Sequence, residues 1–190
     1  NLDARPASAW GKTLNHAGGT YTKARRQMLI DAVYKLLAQS KALKLKKGSV
    51  CESNYRYDLV EFGSAVMADY AYDLLLGIRT AKDAAGEDFA TDATYMVRRD
   101  AFLALIADVD AFKGTNLNFR LGKWTQEARD AAAEVEGATT ATADWYEFNN
   151  ARTLITTWSS PNTNLNDYSY RSWQGLLKDF YLPRWQHFFD

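Results

Sequence analysis

Apolar residues recur along most of this chain at steps of three and four, the spacing that lines one face of an α-helix. From about Tyr21 to Lys44 the series Met28, Leu29, Val33, Leu36, Leu37 and Leu43 predicts a first long helix, with Gly48-Ser49 as its end. Between Tyr57 and Lys82 a second helix is predicted, with Leu59, Phe62, Val66, Tyr70, Leu74 and Ile78 on the buried face. Gly63 and Gly77 lie close to that face. Each costs about 1 kcal/mol of helix propensity relative to alanine, so a close helix crossing is the reading given to both. A third helix spans about Asp92 to Lys113, with Met96, Leu103, Ile106, Val109 and Phe112 inward and Arg98, Arg99, Asp108 and Lys113 outward.

The second half follows the same rule with more breaks. Thr125 supplies a cap hydroxyl and Glu127 a first-turn carboxylate for a short helix ending near Glu136. Gly137 to Thr142 is a small-residue linker, and a helix resumes from Ala143 through Trp145, Phe148, Leu154 and Ile155. Ser159 to Asn166 is a polar loop around Pro161, after which Asp167 caps a last helix carrying Tyr168, Trp173, Leu176, Leu177, Phe180, Tyr181 and Trp185. No period-two stretch long enough for a strand occurs, and no internal repeat. The expected fold is one all-α domain over residues 1–190, a bundle of about five to seven helices.

Composition narrows the function classes. With 47% apolar and 24% charged residues in 190, the chain has the make-up of a folded globular domain. Lys plus Arg number 23 and Asp plus Glu 23, so there is no net field to gather nucleic acid or an anionic membrane, and neither is expected as a partner. The run Lys41, Lys44, Lys46 and Lys47 reads as hydrated lysines complementing a helix C-terminus. Cys51 is single and cannot make an internal disulfide. No leader, membrane span or lipidation motif is seen, and a start at Asn1-Leu2-Asp3 suggests a trimmed piece.

Candidate chemistry is sparse. His16 and His187 stand at opposite ends without a histidine or cysteine at ligand spacing, so no metal and no cofactor is expected. The patterns G-x-S-x-G, G-x-x-x-x-G-K-S/T and G-x-G-x-x-G do not occur. Asp69 and Asp73 share a helix face at i,i+4, read as a solvated pair and not as an acid–base couple. The unusual feature is 14% Phe, Trp and Tyr, dense between Trp145 and Phe189. Aromatic rings stack on the C–H faces of sugars, but a ring inside a helix more often packs the core. Trp158 differs in standing where a helix meets a loop, a place where binding residues gather, with Asn150, Arg152 and Asp167 as polar neighbours in sequence.

The same region carries a family likeness. Asn150-Ala151-Arg152-Thr153-Leu154-Ile155-Thr156-Thr157-Trp158, then Asp167-Tyr168, then Tyr181-Leu182-Pro183-Arg184-Trp185 resemble the end of the α-N-acetylglucosaminidases, glycoside hydrolase family 89. Tyr55 to Val60, Leu121-Gly122-Lys123-Trp124, Gln126 to Arg129 and Ala143 to Glu147 resemble further segments in the same order, with Ser159-Ser160-Pro161 standing where a more glycine-containing turn is expected.

The resemblance implies a C-terminal helical domain beside a catalytic TIM-type barrel of the same polypeptide, cut at both ends. The parent would release terminal α-linked N-acetylglucosamine from glycans with retention, and its two catalytic glutamates would lie in the barrel; no residue here matches their positions. Trp158, Arg152, Asn150, Asp167 and Tyr168 are the residues expected at the substrate cleft. An apolar surface is expected where the barrel would sit, and an extracytoplasmic setting, secreted, periplasmic or lysosomal, is implied. The alternative is a free-standing helical module binding protein or carbohydrate.

Overall fold

The computed structural model describes residues 23–40, 42–155 and 171–190, with side chains from 26 to 151 and from 171 in those ranges. These residues form six α-helices: α1 (Lys23–Gln39), α2 (Val50–Ala85), α3 (Ala93–Lys113), α4 (Leu121–Ala132), α5 (Thr140–Ile155) and α6 (Leu182–Phe189). Short 3-10 turns at Gly86–Thr91 and Leu117–Phe119 and a π-helical turn at Leu177–Tyr181 join or precede them. Among the described residues no strand forms, and the all-α expectation holds.

The ends of the helices are chemically marked. Ser49 caps α2, its hydroxyl accepting from Glu52 N at 3.2 Å, while the Glu52 carboxylate accepts from Gly48 N at 2.6 Å and pairs with Arg56 at 2.8 Å. Gly48 takes φ 77°, which glycine adopts without strain. Gly48-Ser49 therefore starts α2, where the sequence reading made it the end of the first helix. That helix stops at Gln39, and Lys44, Lys46 and Lys47 lie in the exposed connection beyond it. Asp92, read as the approximate start of the third helix, is its cap, accepting from Tyr95 N at 2.7 Å. α4 begins at Leu121, before the Thr125 expected to cap it.

The hydrogen bond from Gly48 N, then the contacts with Arg56, hold the Glu52 carboxyl below its ordinary range. A depressed folded-state value means that its stabilisation is present above the unfolded carboxylate range and fades as pH falls through the lowered one. Acid should thus loosen the start of α2, and Glu52→Gln should remove that part of the pH dependence. Hydrogen exchange at the first turn of α2, measured from pH 7 to 3, checks it; equal acid sensitivity in both forms would reject the assignment.

The core lies where α2, α3 and the C-terminal turn with α6 meet. Ala71, Leu75, Ile78 and Ala81 from α2 pack on Tyr95, Phe102, Leu105, Ile106 and Val109 from α3, closed by Leu176, Leu177, Tyr181, Trp185 and Phe189. The buried stripe of α2 runs through Val60, Ser64, Ala71, Leu75 and Ile78. It is rotated by about one residue from the predicted one, leaving Phe62 and Tyr70 exposed. α2 carries two apolar stripes, and α3 with α6 occupy only one. On α3, Ile106 and Val109 are buried as read, whereas Met96 is exposed and Lys113 is buried, its Nζ 4.9 Å from the centre of the Phe119 ring.

Both glycine readings are supported. A Cβ on Gly63 would lie 2.8 Å from the Phe112 ring, and one on Gly77 would lie 3.1 Å from the Arg98 guanidinium, whose Nη1 donates to the Gly77 carbonyl at 2.7 Å. The last helix departs most from expectation: residues 171–174 are not helical, and Gln174 bridges to Arg120. Helical structure begins only after Gly175, whose φ is 92°. Asp167, the expected cap, lies outside the described residues.

Candidate functional site

The aromatic cleft sits between α4 and α5. Two antiparallel-type neighbours joined by a short connection need polar ties at both ends, and the sequence supplies them. Thr139 and Thr142 cap α5 reciprocally, Thr142 Oγ1 accepting from Thr139 N at 3.1 Å and Thr139 Oγ1 from Thr142 N at 3.4 Å. Arg129 of α4 then donates through Nη1 to Asp144 and to Glu147 of α5, each at 2.6 Å. These bonds, Asp144 first and Glu147 second, raise the Arg129 pKa further above its ordinary value. At the far end Asn150 Nδ2 donates to the Trp124 carbonyl at 3.2 Å.

Between the ties lies a shallow depression of about 380 Å³ lined by Trp124, Glu127, Trp145, Tyr146, Asn149 and Asn150. Trp145 is 63% exposed, an unusual state for the largest side chain, and its ring meets Tyr146 edge-on at 5.5 Å. Asn149 Nδ2 holds the Trp145 carbonyl at 2.7 Å, as Asn150 holds that of Trp124. Trp124 packs edge-on against Trp173 at 5.3 Å, and its buried indole N–H has no hydrogen-bond partner among the described residues. Flat rings beside amide groups suit stacking on a sugar with hydrogen bonds to its hydroxyls.

The carboxylates around the cleft are engaged, Glu127 with Lys123 at 3.5 Å and Asp144 and Glu147 with Arg129. Among the described residues no cluster of histidine, cysteine, aspartate or glutamate could hold a metal ion, and no helix is long and apolar enough to cross a membrane. The Asp69–Asp73 pair is solvated at Asp73 only: Asp69 is 5% exposed, and Arg26 of α1 reaches both carboxylates, with its Nε 3.6 Å from Asp69 and Nη1 bonded to Asp73. A helix interface drew the guanidinium in, which a single-helix pattern does not reveal.

Of the residues singled out from sequence, Asn150 belongs to this cleft. Arg152 lies on the last turns of α5, two residues beyond, and its side chain is outside the described set. Trp158, Asp167, Tyr168 and the loop Ser159–Asn166 also fall outside the described residues. Trp124 and Trp145 had no role assigned by the sequence reading. Their signal was present in the segments Leu121 to Trp124 and Ala143 to Glu147, but only the pairing of α4 with α5 brings the two rings together.

The family model of the α-N-acetylglucosaminidase (NAGLU) C-terminal domain matches residues 2–190. Human α-N-acetylglucosaminidase is 29% identical over 138 residues, 72% of this chain and 17% of the human protein. The fold superposes on a family 89 glycoside hydrolase from Clostridium perfringens, solved in complex with 2-acetamido-1,2-dideoxynojirimycin, at TM-score 0.77 and 25% identity. It also superposes on that enzyme with PUGNAc (TM-score 0.74, 23% identity) and on a variant with its substrate GlcNAc-α-1,4-galactose (0.75, 23%). Each superposition covers 99% of this chain and 20% of the bacterial one. The chain thus spans about a fifth of the length of its relatives, and it belongs to the family of α-N-acetylglucosaminidase C-terminal domains.

Proposed function

We propose that this domain packs against the catalytic barrel of an exo-acting, retaining α-N-acetylglucosaminidase and helps to wall its substrate cleft. The observation that carries the reading is the open aromatic cleft of α4 and α5, with Trp145 exposed beside Asn149 and Asn150 at the root of the segment that ends in Trp158. Barrel active sites lie at the C-terminal face, where a neighbouring domain can supply part of the rim. Support comes from the bacterial relatives, which were solved with a GlcNAc-α-1,4-galactose substrate and with glycosidase ligands.

The chemistry belongs to the barrel. A retaining reaction uses two carboxyl groups about 5–5.5 Å apart, one as nucleophile and one as acid and then base. This domain contributes neither; its part is to orient the glycan and exclude water, which matters because binding geometry is converted into rate only when the reacting atoms are held in place. Trp158, with Tyr168 beside Asp167, takes the sugar side of that wall, while Arg152 and Asn150 hold the end of α5. Such an enzyme meets its glycans outside the cytoplasm, in a secreted, periplasmic or lysosomal setting.

Trp158→Ala in the whole enzyme should lower kcat/KM on a terminal α-GlcNAc substrate by roughly ten- to hundredfold, since one lost orienting contact is worth about 1–3 kcal/mol. Trp145→Ala should act in the same direction while the melting temperature stays put, because its ring is already exposed. Unchanged kcat/KM in both variants, measured on folded protein, would remove this domain from the cleft. Tight binding of N-acetylglucosamine by the chain alone would instead favour an independent binding module.

A further inference from the structure

A second surface, of a different chemistry from the cleft, is left open by the described residues. α1 packs chiefly on α2, along the apolar stripe of α2 that α3 and α6 leave open. Between α1 and α2 runs a groove of about 500 Å³, walled by Val33, Tyr34, Leu37, Val66 and Tyr70. Its floor is Gly63, where the missing side chain admits the Phe112 ring. Among the described residues its charged groups, Arg26 and Asp73, are bonded to each other at one end. Tyr34 is 68% exposed and Met28, on the same helix, 70%, with Leu37, Phe62 and Tyr70 also exposed.

We infer that this groove is the face that seats the preceding part of the same polypeptide, the portion that joins the domain at the α1 end. Two observations choose that occupant. The matched family is a C-terminal domain, and relatives carry about four-fifths of their length outside it, so a large partner is covalently attached on the N-terminal side, next to α1. The groove is also predominantly apolar, walled by aliphatic side chains and the Tyr34 and Tyr70 rings around one ion pair, the composition of permanent interfaces. Left open to water, a continuous apolar face of this kind promotes self-association. The docked segment should present a short run of apolar side chains, two or three of which the groove would hold. Seating it would complete the second stripe of α2 and give α1 a neighbour on its outer side. The inference rests on the reading of the chain as one domain of a larger glycosidase, and it adds which face carries the contact.

The test uses the whole polypeptide with its exposed Cys51 replaced (Cys51→Ser) and single cysteines introduced by Tyr34→Cys, Leu37→Cys or, at the exposed far end of α2, Ala84→Cys. Maleimide modification should be at least about tenfold slower at the two groove positions than at position 84, and unchanged on hundredfold dilution. A benzophenone carried on the cysteine at position 34 should photo-cross-link to the region preceding residue 1. Equal labelling rates, protection lost on dilution, or cross-links that fall within residues 1–22 or on a second copy would each overturn the assignment. The outcome is separable from the cleft reading: the groove can be shielded while Trp145 and Trp158 variants keep full kcat/KM, and the reverse.

Discussion

Trp185→Ala should lower the stability of the domain by about 3–5 kcal/mol, the usual cost of a large-to-small change in a closed core. Its indole is fully buried, meets Phe102 edge-on at 4.9 Å, and stacks on Phe189 at 5.6 Å. Removing it leaves the rings of α3 and α6 facing a void too large for either to fill, because both are held by their own helices. In a chain of this size each kcal/mol shifts the melting temperature by roughly 2–4 °C, so a fall of about 6–20 °C is expected. Gln186→Ala, one residue on and exposed, should shift it little. A loss below 1 kcal/mol for Trp185→Ala in denaturant titration, with unchanged slope, would show that the site collapses freely and that the core is misassigned.

That result bears on the family-like motif Tyr181-Leu182-Pro183-Arg184-Trp185. Tyr181 and Trp185 are buried, Pro183 opens α6, and the Arg184 guanidinium lies 4.8 Å from the Tyr181 ring. The motif thus contributes two of the largest side chains of the core. The other motif, Asn150 to Trp158, begins at the cleft. Resemblance alone does not separate the two, and burial does.

The all-α class, the helix starting near Asp92 and the close crossings at Gly63 and Gly77 are written in local residue chemistry and spacing, and so were open to reading, whereas Gly48-Ser49 was taken for a helix end and is a helix start. What escaped depended on partners distant in sequence. The stripe of α2 was placed one residue off because a helix with two apolar faces does not say which neighbour takes which. Lys113 was placed outward because its aromatic cover, Phe119, comes after a turn. Arg26 and the Asp69–Asp73 pair are more than forty residues apart, and the two tryptophans of the cleft belong to different helices.

The second large effect expected is at Asp110, which was not singled out from sequence and is 4% exposed. Its Oδ1 accepts from Gly175 N at 2.7 Å and from Lys178 N at 3.1 Å, so a side chain at the end of α3 caps the helical stretch that leads into α6. The first amide groups of a helix have no partner within it, and here the chain segment before Gly175 is occupied in pairing Gln174 with Phe119 and Leu121. Gly175 turns the chain at positive φ, and Asp110 satisfies the donors this exposes. Asp110→Ala takes the acceptor from two part-buried N–H groups; a fully buried one would cost about 1–3 kcal/mol, and partial exposure sets the expected total at about 2–4 kcal/mol, below the full sum. Asp110→Asn keeps an oxygen acceptor in the same place and should cost less than half as much. The two variants should also differ in place as well as size: hydrogen exchange at Lys178 should accelerate far more in Asp110→Ala than exchange in the middle of α3. Uniform acceleration across both helices would mean that Asp110 contributes general packing and that the cap is not what anchors the C-terminal turn.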